Sequence, residues 1–202
     1  MSAGITVFLF NVVMMDLFGK NGVAAFTSVN YLLYLGVQLY VGLSDGIIPI
    51  LSYNYGAGQL SRMKATIRLG RKANFAIGLV FFGLLFGGGT FLISHFFGRT
   101  DIEDIETIQA IAVTGATYVA FAFLFNGQNI LSSSLFTSMG DARTSVVISL
   151  LRGLVLIVAG IVMFPFVLGD TGIWLVVPAA EVLTLFYCWF IVKKKASWIL
   201  AD

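Results

Sequence analysis

The chain has 202 residues, of which 58% are hydrophobic and only 11% charged, and its mean hydropathy is +0.95. A soluble domain carries about 25% charged residues, so this chain cannot cover a water-facing surface, and an integral membrane protein is expected. The formal charge of +2 is too small for a nucleic-acid partner, and its distribution matters more than its sum.

Six apolar segments follow one another, each long enough to be a helix rather than a barrel strand. The first covers residues 2–18 and ends at Gly19-Lys20-Asn21-Gly22, a turn by composition. No positive stretch precedes it and no small-residue cleavage site follows, so it does not read as a signal peptide. Residues 2–15 give roughly 21 Å of helix, short of the roughly 30 Å hydrocarbon core. Either this helix inserts poorly or the chain is a fragment of something longer.

The second segment, 23–52, exceeds one span, so it should tilt, protrude, or bend near Gly46 and Pro49. The third, 65–97, has a basic amphipathic start and a Gly87-Gly88-Gly89 run, expected to serve packing or hinging. Residues 98–106 are acidic and water-facing. The fourth segment is 107–139, broken by Gly140-Asp141; the fifth is 142–166, closed by Pro165 and Gly169-Asp170. The sixth is 172–192, closed by Lys193-Lys194-Lys195.

With alternating crossings, one face collects Arg62, Lys64, Arg68, Arg71, Lys72, Arg143 and Lys193–Lys195, and the other only Lys20 and Arg99. Nine against two places both termini on the cytoplasmic side of the cell membrane. An odd number of spans would put the Lys triplet opposite the Arg62–Lys72 loop.

Polar groups at membrane depth mark candidate sites. On the second helix Thr27, Asn30, Tyr34, Gln38, Asp45 and Ser52 fall within an arc of roughly 80°. Such a stripe lines a wet cavity, or holds the bundle together by interhelical hydrogen bonds. The fourth helix repeats the pattern with Asn126, Asn129, Ser133 and Thr137, and the same two readings apply. Glu181 sits in the middle of the sixth helix and Arg152 inside the fifth. Burial raises a carboxyl pKa, so Glu181 qualifies for proton exchange, or it forms a structural pair with Arg152. Asp45 is the better proton or cation site because no cation neighbours it in sequence.

Asp16 and His95 read as interfacial, and Tyr53, Tyr55, Trp174 and Trp198 as belt aromatics. The single cysteine, Cys188, has no partner for a disulfide or a metal and reads as a buried thiol. No Ser-His-Asp, CxxC or HExxH arrangement is present, so an enzyme is not expected.

The exit Pro49-Ile50-Leu51-Ser52-Tyr53-Asn54-Tyr55-Gly56-Ala57-Gly58 resembles the multidrug and toxic compound extrusion (MATE) transporters, in particular the bacterial branch with a Ser-Tyr-Asn-Tyr-Gly-Ala-Gly motif. Met139-Gly140-Asp141-Ala142-Arg143, Leu151-Arg152 and Gly172-Ile173-Trp174…Pro178…Glu181 support it in the right order. The resemblance implies an all-α membrane fold, this chain being the C-terminal six-helix lobe of a twelve-helix transporter. It also implies export of amphipathic, often cationic xenobiotics in exchange for H⁺ or Na⁺, with no other cofactor. On that reading Asp45, Glu181 and Arg152 are the ion-coupling candidates. Asn30, Tyr34, Gln38, Asn126, Asn129 and Ser133 are the substrate-cavity candidates. Membrane lipid, a small-molecule substrate, and the N-terminal lobe or a second copy are the expected partners. The alternatives are a truncated inactive half-transporter and a lipid-linked sugar flippase. A flippase calls for a cationic cavity, and Arg152 is the only intramembrane cation.

Overall fold

In the computed structural model, residues 2–97 and 104–199 are described, and every regular element among them is helical. Residues 98–103, including Arg99 and most of the expected acidic loop, lie outside the described residues. The elements are α1 (Ser2–Gly56), α2 (Leu60–Phe97), α3 (Ile105–Ala120), α4 (Phe123–Ser138), α5 (Ala142–Leu150), a π-helical turn (Leu151–Val155), α6 (Leu156–Leu168) and α7 (Gly172–Lys195). A short 3₁₀ turn, Ser197–Ile199, follows.

The long α1 is two arms. Gly19 has φ 61° and ψ −151°, a conformation open essentially to glycine alone, so the chain reverses there. Phe10 stacks on Phe26 with ring centroids 4.8 Å apart, which fixes the arms as an antiparallel pair. A Cβ at Gly22 would lie 2.6 Å from the carbonyl oxygen of Met14, so only glycine lets the arms close up beside the turn. The second arm runs through Pro49 to Gly56.

Four helices are long and apolar enough to cross a membrane, and α3 with α4 makes a fifth span bent by 51°. Dividing α1 at Gly19 brings the crossings to six. The expected fourth helix is therefore two pieces. At the break the backbone tightens to i→i−3 bonds, among them Ala122 N–H to Val119 and Leu124 N–H to Phe121. The expected fifth helix is interrupted by the π turn.

Two apolar clusters stack along the bundle. The first gathers Phe10, Phe26, Tyr40, Leu85, Ala116, Phe123, Ile157 and Trp174. The second gathers Leu51, Met63, Leu135, Ile148, Cys188 and Val192, and so brings together the end of α1, the start of α2, the end of α4, the start of α5 and the end of α7. The nine basic residues lie at that end. Two of the motifs read in the sequence turn out to be helix caps there. Gly58 (φ 69°) and Gly140 (φ 78°) are left-handed, and Gln59 N–H reaches Asn54 O at 2.8 Å while Asp141 N–H reaches Phe136 O at 2.9 Å. These are the backbone bonds of a glycine C-cap. Asp141 then caps α5 through Thr144 and accepts from Lys195 Nζ at 2.6 Å. The Lys195 hydrogen bond, aided by Thr144, lowers the Asp141 carboxyl to about 2.

Trp174 is no belt aromatic. It is 3% exposed and lies against Gly115, where a Cβ would meet its ring at 2.6 Å. Tyr53 and Tyr55 are exposed. Cys188 is buried. His95 donates its Nδ1–H to Phe91 O at 2.9 Å and lies over the Phe91 ring. Gly87 and Gly88 have nothing within 4 Å of a built Cβ, so they pack against no neighbour, and α2 runs unbroken through them.

Candidate functional site: a polar waist opening on a cavity

The two apolar clusters meet at a layer of polar side chains. Arg152 Nη2 donates to Glu181 Oε1 at 2.9 Å and to Asn126 Oδ1 at 2.6 Å; its Nε reaches Glu181 Oε1 at 3.3 Å. The other Glu181 oxygen, Oε2, accepts from Asn129 Nδ2 at 2.7 Å, and the same amide bonds the Glu181 backbone carbonyl at 2.8 Å. One carboxylate thus collects a guanidinium and an amide from two other elements. Glu181 is 3% exposed. A charge held that far from water requires a partner, and Arg152 supplies it.

The π turn explains how Arg152 arrives there. A π turn adds one residue to a helical turn and re-aims the side chains within it. Leu151–Val155 does so between α5 and α6, and it carries Arg152 toward α7.

The waist continues across the bundle through Tyr40 and Asn74, which sequence patterning did not single out, and through Gln128, which sits beside the polar face of the fourth segment. Tyr40 donates to Phe123 O at 2.8 Å, and Asn74 Nδ2 donates to Gly127 O at 2.8 Å. Gln128 Nε2 donates to Arg71 O at 2.9 Å. Tyr40 and Asn74 are buried. Their signal in the sequence was faint: Tyr40 lies off the polar stripe of its helix, and Asn74 sits just behind the basic start of α2.

On one side the waist opens into a cavity of ≈ 220 Å³ lined by Asn126, Arg152 and Glu181 together with Thr6, Asn30 and Val37. A second cavity of ≈ 540 Å³ shares Thr6, Val7, Phe26 and Asn30 with it, and adds Asn11, Thr27, Tyr31 and Tyr34. The two therefore run together along the groove between the arms of α1.

Of the sequence-derived candidates, Asn126, Arg152, Glu181 and Asn30 converge on the smaller cavity, and Tyr34 lines the larger. Asn129 stands behind Glu181. Gln38 and Asp45 are exposed on the second arm of α1 and line neither cavity; Asp45 has no ion-pair partner among the described residues. Ser133 is placed elsewhere. Its hydroxyl bonds those of Ser145 at 2.9 Å and Ser149 at 3.2 Å, and Thr137 bonds Ser145 at 2.7 Å. That cluster ties α4 to α5, because small hydroxyl side chains let two helices approach and bond within lipid.

The geometry is that of a helical membrane bundle with a charged pair at mid-height beside an open groove. The MatE family model matches residues 5–163, and the chain belongs to that family. The multidrug export protein MepA of Staphylococcus haemolyticus (strain JCSC1435) is 24% identical over 185 residues, which make up 92% of this chain and 39% of that protein. A MATE structure in complex with MaL6 matches 98% of this chain with a TM-score of 0.89 at 19% identity, over 44% of its own length. A MOP superfamily transporter from Pyrococcus furiosus matches all of this chain with a TM-score of 0.88 at 20% identity, again over 44% of its own length. Its structure has been described as having a binding pocket of reversed polarity that suggests a different function. The chain thus spans about two-fifths of the length of these relatives.

Proposed function

We propose that this chain is the C-terminal six-helix lobe of a cation-coupled exporter in the cell membrane, with its basic end and both termini cytoplasmic. The groove between the arms of α1 is its half of the substrate pathway, and the exported compounds are amphipathic and often cationic. The observation that carries this reading is the convergence of Asn126, Arg152 and Glu181 on a cavity walled by Thr6 and Asn30. Arg152 is neutralised there by Glu181 at 2.9 Å, so the groove offers a lipid-linked phosphate no free cation. That favours a cationic or neutral cargo over the flippase alternative.

Glu181 is the coupling group on this reading. A proton or Na⁺ arriving at its carboxylate competes with Arg152 for the same oxygens. Once that bond weakens, Arg152 and Asn126 are free to rearrange at the cavity wall. Asp45, exposed on the same arm of α1 as Asn30 and Tyr34, is the second coupling candidate.

The test is ethidium efflux, driven by the cation gradient, in cells producing the full transporter of which this chain is a lobe. Glu181→Gln keeps the shape of the side chain and removes its negative charge, so efflux should fall toward the level of cells lacking the protein, with protein level unchanged. Asp45→Asn should also weaken efflux. Undiminished efflux in Glu181→Gln would remove Glu181 from the coupling path.

A further inference from the structure

Away from the groove of α1 lies a third opening. The helix α2 packs on α1, α3 and α4, and α7 packs on α3, α4 and α6. Between α2 and α7 a gap remains, floored by α4, with a volume of ≈ 500 Å³. Its walls are Arg71 and Gln128 at one side and Leu185, Phe186, Trp189 and Val192 at the other. No residue of α1 lines it, so it is separate from the proposed substrate path.

The groove is apolar but for one charge. Arg71 stands about nine residues, or ~13 Å of helix rise, beyond Arg62, toward the middle of α2. It has no acidic partner among the described residues. A cation at that depth requires an anion or access to the interface. Its backbone carbonyl is taken by Gln128, and Ser132 bonds Gln128 O at 2.8 Å, so the polar groups beneath it are occupied by one another. A second cation marks the groove's mouth: Lys193 Nζ sits 5.2 Å from the centre of the Trp189 ring, and Trp189 is half exposed in the groove wall.

We propose that this groove binds an anionic phospholipid of the leaflet at the basic end of the bundle. The head-group phosphate lies between Arg71 and Lys193, and an acyl chain runs along Leu185 and Phe186. The charge pattern decides the class of occupant. One cation in the wall of an apolar slot and a second beside its Trp189, with no carboxylate among the lining residues, complement an amphiphile with a negative head, and basic pockets between helices on the cytoplasmic side bind acidic head groups.

Trp189 reports directly. The purified chain is placed in bilayers containing either phosphatidylglycerol or phosphatidylcholine brominated on the acyl chain, and tryptophan quenching is measured. Trp174 is buried, so the lipid-sensitive signal is that of Trp189 and Trp198, and Trp198→Phe isolates the first. The brominated anionic lipid should quench at about twenty-fivefold lower mole fraction than the zwitterionic one, since Arg71 and Lys193 each contribute roughly a factor of five. Arg71→Gln should cut the preference about fivefold, leaving the Lys193 share, and Arg71→Lys should keep most of it. Equal quenching by the two lipids in the unmodified chain overturns the proposal without recourse to a variant. So does loss of the preference on adding millimolar inorganic phosphate, which would make this a site for the free anion.

Discussion

At the scale of the residue, the Arg152–Glu181 pair decides most. Removing one partner of a buried pair costs about 3–5 kcal/mol because the other charge is left uncompensated; Arg152 is partly exposed, with 19% of its side-chain surface accessible, so the lower figure applies to losing Glu181. Glu181→Gln should therefore lower the melting temperature in detergent, and Arg152→Gln combined with it should recover part of the loss, a double-mutant cycle that isolates the pair. Asp141 offers a pH-dependent counterpart outside the membrane. Its carboxyl is lower in the folded chain than the ordinary value of 3.8 and stands at about 2, so its contribution is whole above the ordinary value and is lost as pH falls from there toward 2. Asp141→Asn should remove that acid-limb decline and leave stability near pH 7 nearly flat with pH. Glu181 and Arg152 are residues that composition marks as costly inside an apolar helix. Sequence alone found Glu181 and Arg152 for that reason, and it weighed their pairing. The backbone carbonyl partners of Tyr40 and Asn74 carry no side-chain signature, so that half of the waist was not legible.

At the scale of the element, two irregularities place the site: the 51° bend between α3 and α4 and the π turn before α6. Neither is announced by proline. The bend is held by close approach. A Cβ at Gly36 would lie 2.2 Å from the Phe123 ring, one at Gly78 2.6 Å from Phe123 O, and one at Gly127 2.6 Å from the Tyr40 ring. Gly78→Ala presses on a backbone oxygen that cannot yield, so it should destabilise by about 1–3 kcal/mol. Gly87→Ala meets open space and should instead gain several tenths of a kcal/mol from helix propensity; parallel thermal melts separate the two. The hydrophobic lengths and the turns at Gly19, Gly58 and Gly140 were readable because glycine and polarity punctuate an apolar chain. The interruption inside 107–139 was not, since residues 121–122 are Phe and Ala and the break arises from packing against α1 and α2.

At the scale of the molecule, the basic residues gather at one end, over the cluster of Leu51, Met63, Leu135 and Val192. The orientation that follows is open to a direct reading. Single cysteines at Arg143 and Lys194 should react with a membrane-impermeant maleimide only when added from the cytoplasmic side, and one at Lys20 only from the other. Native Cys188 is buried and should stay silent. Reaction of the Arg143 cysteine from outside would reverse the assigned topology. The chain spans about two-fifths of its relatives' length; on the proposed reading as one lobe, the exposed polar row of Gln38 and Asp45 is the face that a second lobe would meet.

The polar waist also sets the height of each helix relative to its neighbours. Lipid tails are as apolar as leucine, so a helix sliding one turn, about 5.4 Å, along its axis would exchange one set of aliphatic contacts for another at little cost. The waist forbids such a slide. Asn74 finds Gly127 O, and Arg152 finds both Glu181 and Asn126, at one height only; one turn up or down, each would face hydrocarbon with its polar atoms bare. The layer therefore acts as an indexing pin, contributing less to how tightly the helices hold than to which of several near-equivalent alignments they adopt.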